Sequence, residues 1–363
     1  MDKNKEEYMA MAAELAKKGE GAVDPNPLVG AVIVKNGNII GSGYHEKFGG
    51  PHAEVNAIES CKEDTEGAEI YVTLEPCSHY GKTPPCALKL IEKGFKKVYV
   101  GCLDPNPLVA GRGIKLLRDH GIEVETGVLE EECSMLNPVF FKYITQKIPY
   151  VALKSAVSLD GKTATYSGES KWISCEGSRL EVQKLRNKYM AIMVGVNTVI
   201  KDDPRLDCRI EGGRDPIKII ADTNLRTPIN ARMLTKGTTY IAASQKHTNS
   251  EKAKALEEKG AKILYLNEKD GEISLSELLE KLGKLNINSL LVEGGGTLNF
   301  AFIKEKLFDI IHYYIAPKII GGAEAKTFAE GKGFETMAEV CELEFKNIRN
   351  IDGDIYLEAF PRR

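Results

Sequence analysis

The chain opens with an amphipathic stretch in which Tyr8, Met11, Ala12 and Leu15 recur at helical spacing. After it, LVGAVIVKNGNIIGSGYH places two apolar runs around Asn36-Gly37, a pair suited to the tight turn of a hairpin. The alternation continues with a helix from His52, a strand EIYVTLE, a helix from about Pro85, a strand KKVYVG, a helix GIKLLRDHG and a strand IEVETG. Strands alternating with helices predict a sheet covered on both faces. Near Thr145 to Pro149 the apolar periodicity lapses, and a second series starts at YVALKSAVSLDGK. It runs through MAIMVGVNTV, PIKIIAD, TTYIAAS, AKILYL, NSLLVEGGG and LFDIIHYYIAPKII, read as strands with helices between them. The pattern predicts two α/β domains, residues 1–146 and 147–363.

Length agrees, because 363 residues exceed the size at which a single core stops growing. Charge narrows the partners. Before Ile148, 17 Lys and Arg stand against 22 Asp and Glu, a net of -5, which leaves +2 for the rest of the total of -3. Neither half carries the clustered positive charge that phosphate backbones require, so a nucleic-acid partner is not expected. The start MDKNKEEYMA is charged where a signal peptide would be apolar, and no run is long enough to span a bilayer. A cytoplasmic protein without a membrane partner is expected. Eight cysteines are too sparse for a disulfide framework. Cys61, Cys102, Cys133, Cys175, Cys208 and Cys341 lack obvious ligand neighbours and read as small core or surface residues. The hexamer DPNPLV occurs at Asp24 and again at Asp104. Either both copies merely start turns, or both loops rim one pocket.

The remaining cysteines carry chemistry. EPCSHYGKTPPC, from Glu75, holds Cys77 and Cys86, and PHAEVNAIE, from Pro51, offers His52 and Glu54. A catalytic zinc usually takes three protein ligands and leaves its fourth position to water. His52, Cys77 and Cys86 supply such a set, at predicted loop-to-helix junctions where the partial positive charge of a helix N-terminus favours thiolate. Glu54 is then placed to carry protons, since zinc brings the pKa of bound water to about 7. That is the chemistry of hydrolytic deamination. A closed structural site with His79 as fourth ligand is the alternative, and it would leave no place for water.

Four stretches stand out later: KSAVSLDGKTA, SGESKWIS, VGVNTVIKDDPRLDCR and LVEGGGTLNFAFI. A strand ending in three glycines before a helix lets backbone N–H groups approach a phosphate, although the GxGxxG spacing is missing and a plain turn explains the glycines equally well. Lys154, Arg186 and Arg209 are cations near predicted strand ends, suited to a phosphate. Singly, each reads as a solvated charge, Trp172 as a core residue and Asp202-Asp203-Pro204 as a turn.

HAE followed by EPC and a second cysteine resembles the zinc-dependent cytidine deaminase-like superfamily. The usual second element there is Pro-Cys-x-x-Cys, whereas eight residues separate the cysteines here. In that form, and together with DPNPLVGAVIV, it resembles the deaminase half of the bifunctional deaminase-reductases of riboflavin biosynthesis. The four later stretches resemble the reductase half of the same family. The resemblance implies a cytidine deaminase-like three-layer αβα domain followed by a dihydrofolate reductase-like α/β domain. It implies zinc on His52, Cys77 and Cys86, proton transfer by Glu54, and substrate contacts at Asn26 and Lys82. It further implies NADPH contacts at Ala156, Trp172, Thr198, Asp202, Gly295, Gly296, Thr297, Leu298, Asn299 and Phe300. Substrate contacts in the second half would be Lys154, Ser170, Arg186, Leu206, Arg209 and Glu293. The expected substrates are small phosphorylated pyrimidines, and the expected assembly is a homodimer or homotetramer. The preference for NADPH over NADH comes from the resemblance alone. Two other readings are a nucleic-acid base deaminase with an unrelated appended domain and a zinc-stapled binding protein without catalysis. An acidic first half and a single tryptophan weigh against the former.

Overall fold

The computed structural model describes residues 5–78, 80, 84–106 and 110–362. The chain divides into two compact units, Met1–Lys147 and Ile148–Arg363.

The first unit runs α1 (Lys5–Lys17), β1 (Gly30–Lys35), β2 (Asn38–Tyr44), α2 (Ala53–Glu59), β3 (Glu69–Leu74), α3 (Cys86–Glu92), β4 (Lys97–Cys102), α4 (Arg112–Asp119), β5 (Glu123–Thr126), α5 (Glu130–Met135) and α6 (Pro138–Gln146). Its sheet has the order β2-β1-β3-β4-β5, with β1 antiparallel to both neighbours and β3, β4 and β5 parallel. Asn36 and Gly37 both have positive φ, 51° and 76°, which matches the twist of the flanking strands and closes the hairpin in two residues. Successive strand residues point to opposite faces. Ala31, Ile33, Ile70 and Val72 therefore pack under α2, α3 and α4, while Val32, Val34 and Tyr71 pack under α1 and α5. Both faces are covered, giving the three layers. The α1 helix lies so close to the sheet that a Cβ at Gly30 would come within 1.9 Å of the Ala12 carbonyl oxygen. The helix buries Tyr8, Met9, Ala12, Ala13 and Ala16, so its inner face is rotated from the expected stripe, with Met11 and Leu15 on its flank. The last two helices were not expected from the pattern.

The second unit runs β6 (Tyr150–Ser158), α7 (Glu176–Lys188), β7 (Ala191–Gly195), α8 (Val196–Asp202), β8 (Ile217–Ala221), β9 (Thr239–Ser244), α9 (Glu251–Glu258), β10 (Ala261–Leu266), β11 (Glu268–Lys269), β12 (Glu272–Ile273), α10 (Leu275–Lys284), β13 (Ser289–Val292), α11 (Gly296–Lys304), β14 (Ile310–Ala316), β15 (Leu343–Ile351) and β16 (Asp354–Pro361). Nine strands form one sheet in the order β10-β9-β8-β7-β13-β6-β14-β16-β15. All pairs from β10 to β14 are parallel, and the last two strands pair antiparallel. The chain leaves a slot between β6 and β7 that β13 fills later, so loops following three neighbouring strands gather at one edge, where open α/β sheets bind ligands. Every residue of β13 is buried, as a central parallel strand requires. MAIMVGVNTV is a strand only as far as Gly195; Val196 begins a helix. The C-terminal hairpin was also unforeseen: all of β15 between its end residues is exposed, so it carries no inward stripe to read.

Candidate active sites

Three elements of the first unit converge on one point. His52 is the N-cap of α2, Cys86 opens α3, and Cys77 follows β3 by three residues. His52 Nδ1 lies 3.3 Å from Cys86 Sγ and 3.7 Å from Cys77 Sγ, and one ligand atom from each residue falls within 4.8 Å of the others. Tetrahedral zinc with bonds of about 2.3 Å to sulfur and about 2.0 Å to nitrogen sets neighbouring ligand atoms about 3.5 to 3.8 Å apart. The trio fits that ion. The Cys86 backbone N–H donates to Cys77 Sγ at 3.3 Å, which places a helix N-terminus against the sulfur. Cys77 is pulled down to about 4, first by the hydrogen bond from the Cys86 thiol and then by His52, against the opposing effect of burial. Cys86, the donor, is pushed well up, and the bond to Cys77 raises His52. The arrangement thus favours the thiolate at Cys77.

Glu54 stands in the first turn of α2, 3% exposed. Burial pushes its carboxyl up to about 7, with the Cys77 charge adding to the rise and His52 opposing it. A carboxyl balanced near neutrality can both take and give a proton. It lines a cavity of about 240 Å³ together with His52 and Cys77. Asn26 and Pro27 from the first DPNPLV copy and Asp104 and Asn106 from the second border the same cavity, so the two hexamers rim one pocket. His45, 3% exposed, bonds Pro51 O through Nδ1 at 2.9 Å and Asn26 Nδ2 through Nε2 at 3.1 Å. It fixes the orientation of the Asn26 carboxamide. His45, Glu75, Phe140 and Ile144 line the pocket without having been singled out in the sequence. Phe140 and Ile144 sit on α6, a helix the pattern did not reveal. Lys82 and His79 lie outside the described residues.

In the second unit a different cluster forms. Arg186 donates from Nε to Glu293 Oε1 at 2.8 Å and from Nη2 to Oε2 at 3.1 Å, a bidentate pair, while Nη1 donates to the Asp207 carbonyl at 3.1 Å. Lys154 Nζ is 3.9 Å from Glu293 Oε2. All three side chains are largely buried. Burial pushes Glu293 up, but the Arg186 and Lys154 charges outweigh it and hold the carboxyl at about 2. Arg186 lies in the last turn of α7, not at a strand end, and its charge is already matched. Arg209 is exposed and pairs with Asp207 at 3.0 Å.

The other expected contacts lie on several elements of the second unit. Ala156 is on β6, and Thr198 and Asp202 are on α8. Leu206 is buried with φ of 53°, and Ser170 is exposed. Trp172 is 64% exposed, with the Arg179 guanidinium 4.6 Å above its ring; it is no core residue. Asp203 ends α8 in the left-handed region, as a turn would. Gly295 caps α11 without a side-chain acceptor, and Gly296 to Phe300 form its first turns. A Cβ at Gly296 would meet the Thr327 carbonyl oxygen at 2.7 Å. Asn299 donates to the Phe328 carbonyl at 3.0 Å, while its buried Oδ1 has no protein partner. An uncapped helix start beside an orphaned buried acceptor fits a phosphate-bearing cofactor with further donors.

Comparison with known proteins joins the two halves. Residues 2–102 match the family model described as the cytidine and deoxycytidylate deaminase zinc-binding region, and residues 149–357 match the RibD C-terminal domain. The riboflavin biosynthesis protein RibD of Actinobacillus pleuropneumoniae is 48% identical over 97% of this chain and 94% of its own. Acinetobacter baumannii RibD superposes with a TM-score of 0.89 at 40% identity, covering 99% of both chains. A diaminohydroxyphosphoribosylaminopyrimidine deaminase/5-amino-6-(5-phosphoribosylamino)uracil reductase from Thermotoga maritima gives 0.87 at 39%, again over 99% of both. A cytidine deaminase-like unit with a zinc-binding region is thus followed by a dihydrofolate reductase-like one, and the chain belongs to the RibD family of bifunctional deaminase-reductases of riboflavin biosynthesis.

Proposed function

We propose that the first unit deaminates 2,5-diamino-6-(5-phosphoribosylamino)pyrimidin-4(3H)-one and that the second reduces the resulting 5-amino-6-(5-phosphoribosylamino)uracil with NADPH. The observation that carries the first step is the histidine and two cysteines at ligand spacing with a buried carboxyl poised near 7 beside them. His52, Cys77 and Cys86 hold zinc, which when bound makes water a nucleophile near neutral pH. Glu54 takes a proton from the attacking water and returns one to the amine nitrogen that leaves as ammonia. Asn26, set by His45, orients the ring, and Lys82 is a further substrate contact.

In the second unit, Gly295 to Phe300, Thr198, Asp202, Ala156 and Trp172 bind NADPH, which supplies the hydride to C1 of the opened ribosyl chain. Lys154 on β6 stands beside the Arg186-Glu293 pair, and these three with Ser170, Leu206 and Arg209 position the phosphoribosyl substrate. The reading includes a cytoplasmic homo-oligomer, supported by eight free cysteines and by Phe345 and Ile348 exposed on the edge strand β15. Among the described residues no helix is long and apolar enough to cross a membrane.

The test is substrate choice. Ammonia should be released from the diaminopyrimidinone nucleotide but not from RNA, and NADPH should be oxidised only when the deaminated product is present. Release from RNA, or NADPH oxidation on the undeaminated compound by a Glu54→Gln chain at the rate seen with deaminated product, would overturn the reading.

A further inference from the structure

Glu75 precedes Pro76-Cys77 and is 4% exposed. A buried carboxylate is costly unless hydrogen bonds replace its water. Here four backbone N–H groups do so: Oε2 accepts from Asp104 at 3.4 Å and Gly111 at 3.0 Å, and Oε1 from Gly113 at 3.0 Å and Ile114 at 3.4 Å. Gly111 is the N-cap of α4, so three of the donors belong to a helix N-terminus, whose dipole favours the charge. The fourth, Asp104, is the first residue of the second hexamer. Asp104 Oδ1 in turn accepts from the Asn106 N–H at 2.8 Å, which passes the anchorage along the loop to Asn106. The packing leaves no slack, because a Cβ at Gly113 would lie 2.1 Å from the Pro76 oxygen.

One carboxylate therefore ties the loop of the second hexamer and the start of α4 to the strand end that leads to Cys77. Asn106 lines the cavity together with Asn26, the equivalent residue of the first hexamer. Among the described lining residues there is no lysine or arginine, so this part of the pocket suits the base rather than the phosphate. Carboxamides offer both donors and acceptors, as a pyrimidinone edge bearing amino, N–H and carbonyl groups demands.

We propose that Glu75 is a positioning residue that holds Asn106 in place, and that Asn106 and Asn26, one from each hexamer, together read the amino-rich ring of the deaminase substrate. The inference rests on the deaminase reading above. Glu75→Gln, Asn106→Ala and the double variant are made in the full chain, and zinc content, deaminase kcat and KM, and NADPH oxidation are measured. Each single change raises the deaminase KM about tenfold, the loss of one good hydrogen bond, with zinc retained and kcat and NADPH oxidation nearly unaltered. Because Glu75 acts through Asn106, the double variant is no worse than Asn106→Ala alone. An unchanged KM in either single variant, loss of zinc in Glu75→Gln, or additive effects in the double variant overturn the proposal. Should Glu75→Gln not fold, Glu75→Asp, which keeps the charge but shortens the reach to the four N–H groups, replaces it alone and in the double variant: a raised KM that does not add to Asn106→Ala upholds the proposal, and an unchanged or additive KM defeats it. Failure of the unaltered chain to release ammonia would instead refute the deaminase reading itself.

Discussion

Both units bury ionisable groups beside a binding site, and they treat them in opposite ways. At the zinc trio the groups are left unbalanced, so that Glu54 rises to about 7 and Cys77 falls to about 4. At Lys154, Arg186 and Glu293 two cations face one carboxylate, and Glu293 is held at about 2. The first arrangement keeps protons mobile around neutral pH. The second holds Glu293 and Arg186 in their charged forms and offers geometry instead. Proton chemistry needs the former; positioning a cofactor's hydride against a substrate needs the latter.

The contrast breaks most sharply at Glu54. Glu54→Gln removes the proposed proton carrier but none of the proposed ligands, so ammonia release should fall by about 10²- to 10⁴-fold, with zinc retained and NADPH oxidation on deaminated substrate intact. If both activities fell together in a folded protein, the two sites would not be independent. Next in size is Glu293→Gln, which strands Arg186 in a buried position and should destabilise the second unit by about 3 to 5 kcal/mol. Its pH signature follows from the sign of the shift. A carboxyl lowered by its partners contributes stability that is full above its unfolded value of 4.5 and is lost as pH falls through about 2. Acid denaturation of the unaltered second unit should therefore steepen between those values, and Glu293→Gln should flatten that slope. A slope unchanged by the substitution would show that the cluster is not held as a charged set. Smallest is Arg209→Ala: an exposed pair with Asp207 should change the unfolding free energy by less than about 1 kcal/mol. A larger loss would place Arg209 inside the buried cluster.

Much of this was legible in the chain because local chemistry and long-range structure agreed. Asn36-Gly37 marked a hairpin that closes in two residues, and Pro85-Cys86 marked a helix start that faces His52, whereas Cys77, expected at another helix start, lies in the loop after β3. The two hexamers hinted at a shared pocket, which the cavity shows. Other features depended on partners remote in sequence. Glu293 looks like an ordinary acid until α7 brings Arg186 against it, and Glu75 reveals its four N–H donors only when α4 is folded. Trp172 shows the limit of composition, since a lone tryptophan suggests core and this one stands in solvent. The α6 helix buries no residue fully, so no apolar stripe announced it. Val196 and Val199 extend the apolar pattern of β7 past Gly195, and the polar Asn197 and Thr198 between them did not suffice to mark the helical backbone that separates α8 from β7.

The most direct test is a zinc titration of the metal-stripped full chain, following ammonia release from the diaminopyrimidinone nucleotide and, in a separate sample supplied with deaminated substrate, NADPH oxidation. Ammonia release should begin at zero, climb in proportion to added zinc and stop at one equivalent per chain, while NADPH oxidation stays level throughout. Deamination without zinc, or NADPH oxidation that rises with the metal, would contradict the assignment of one metal-dependent and one metal-independent site.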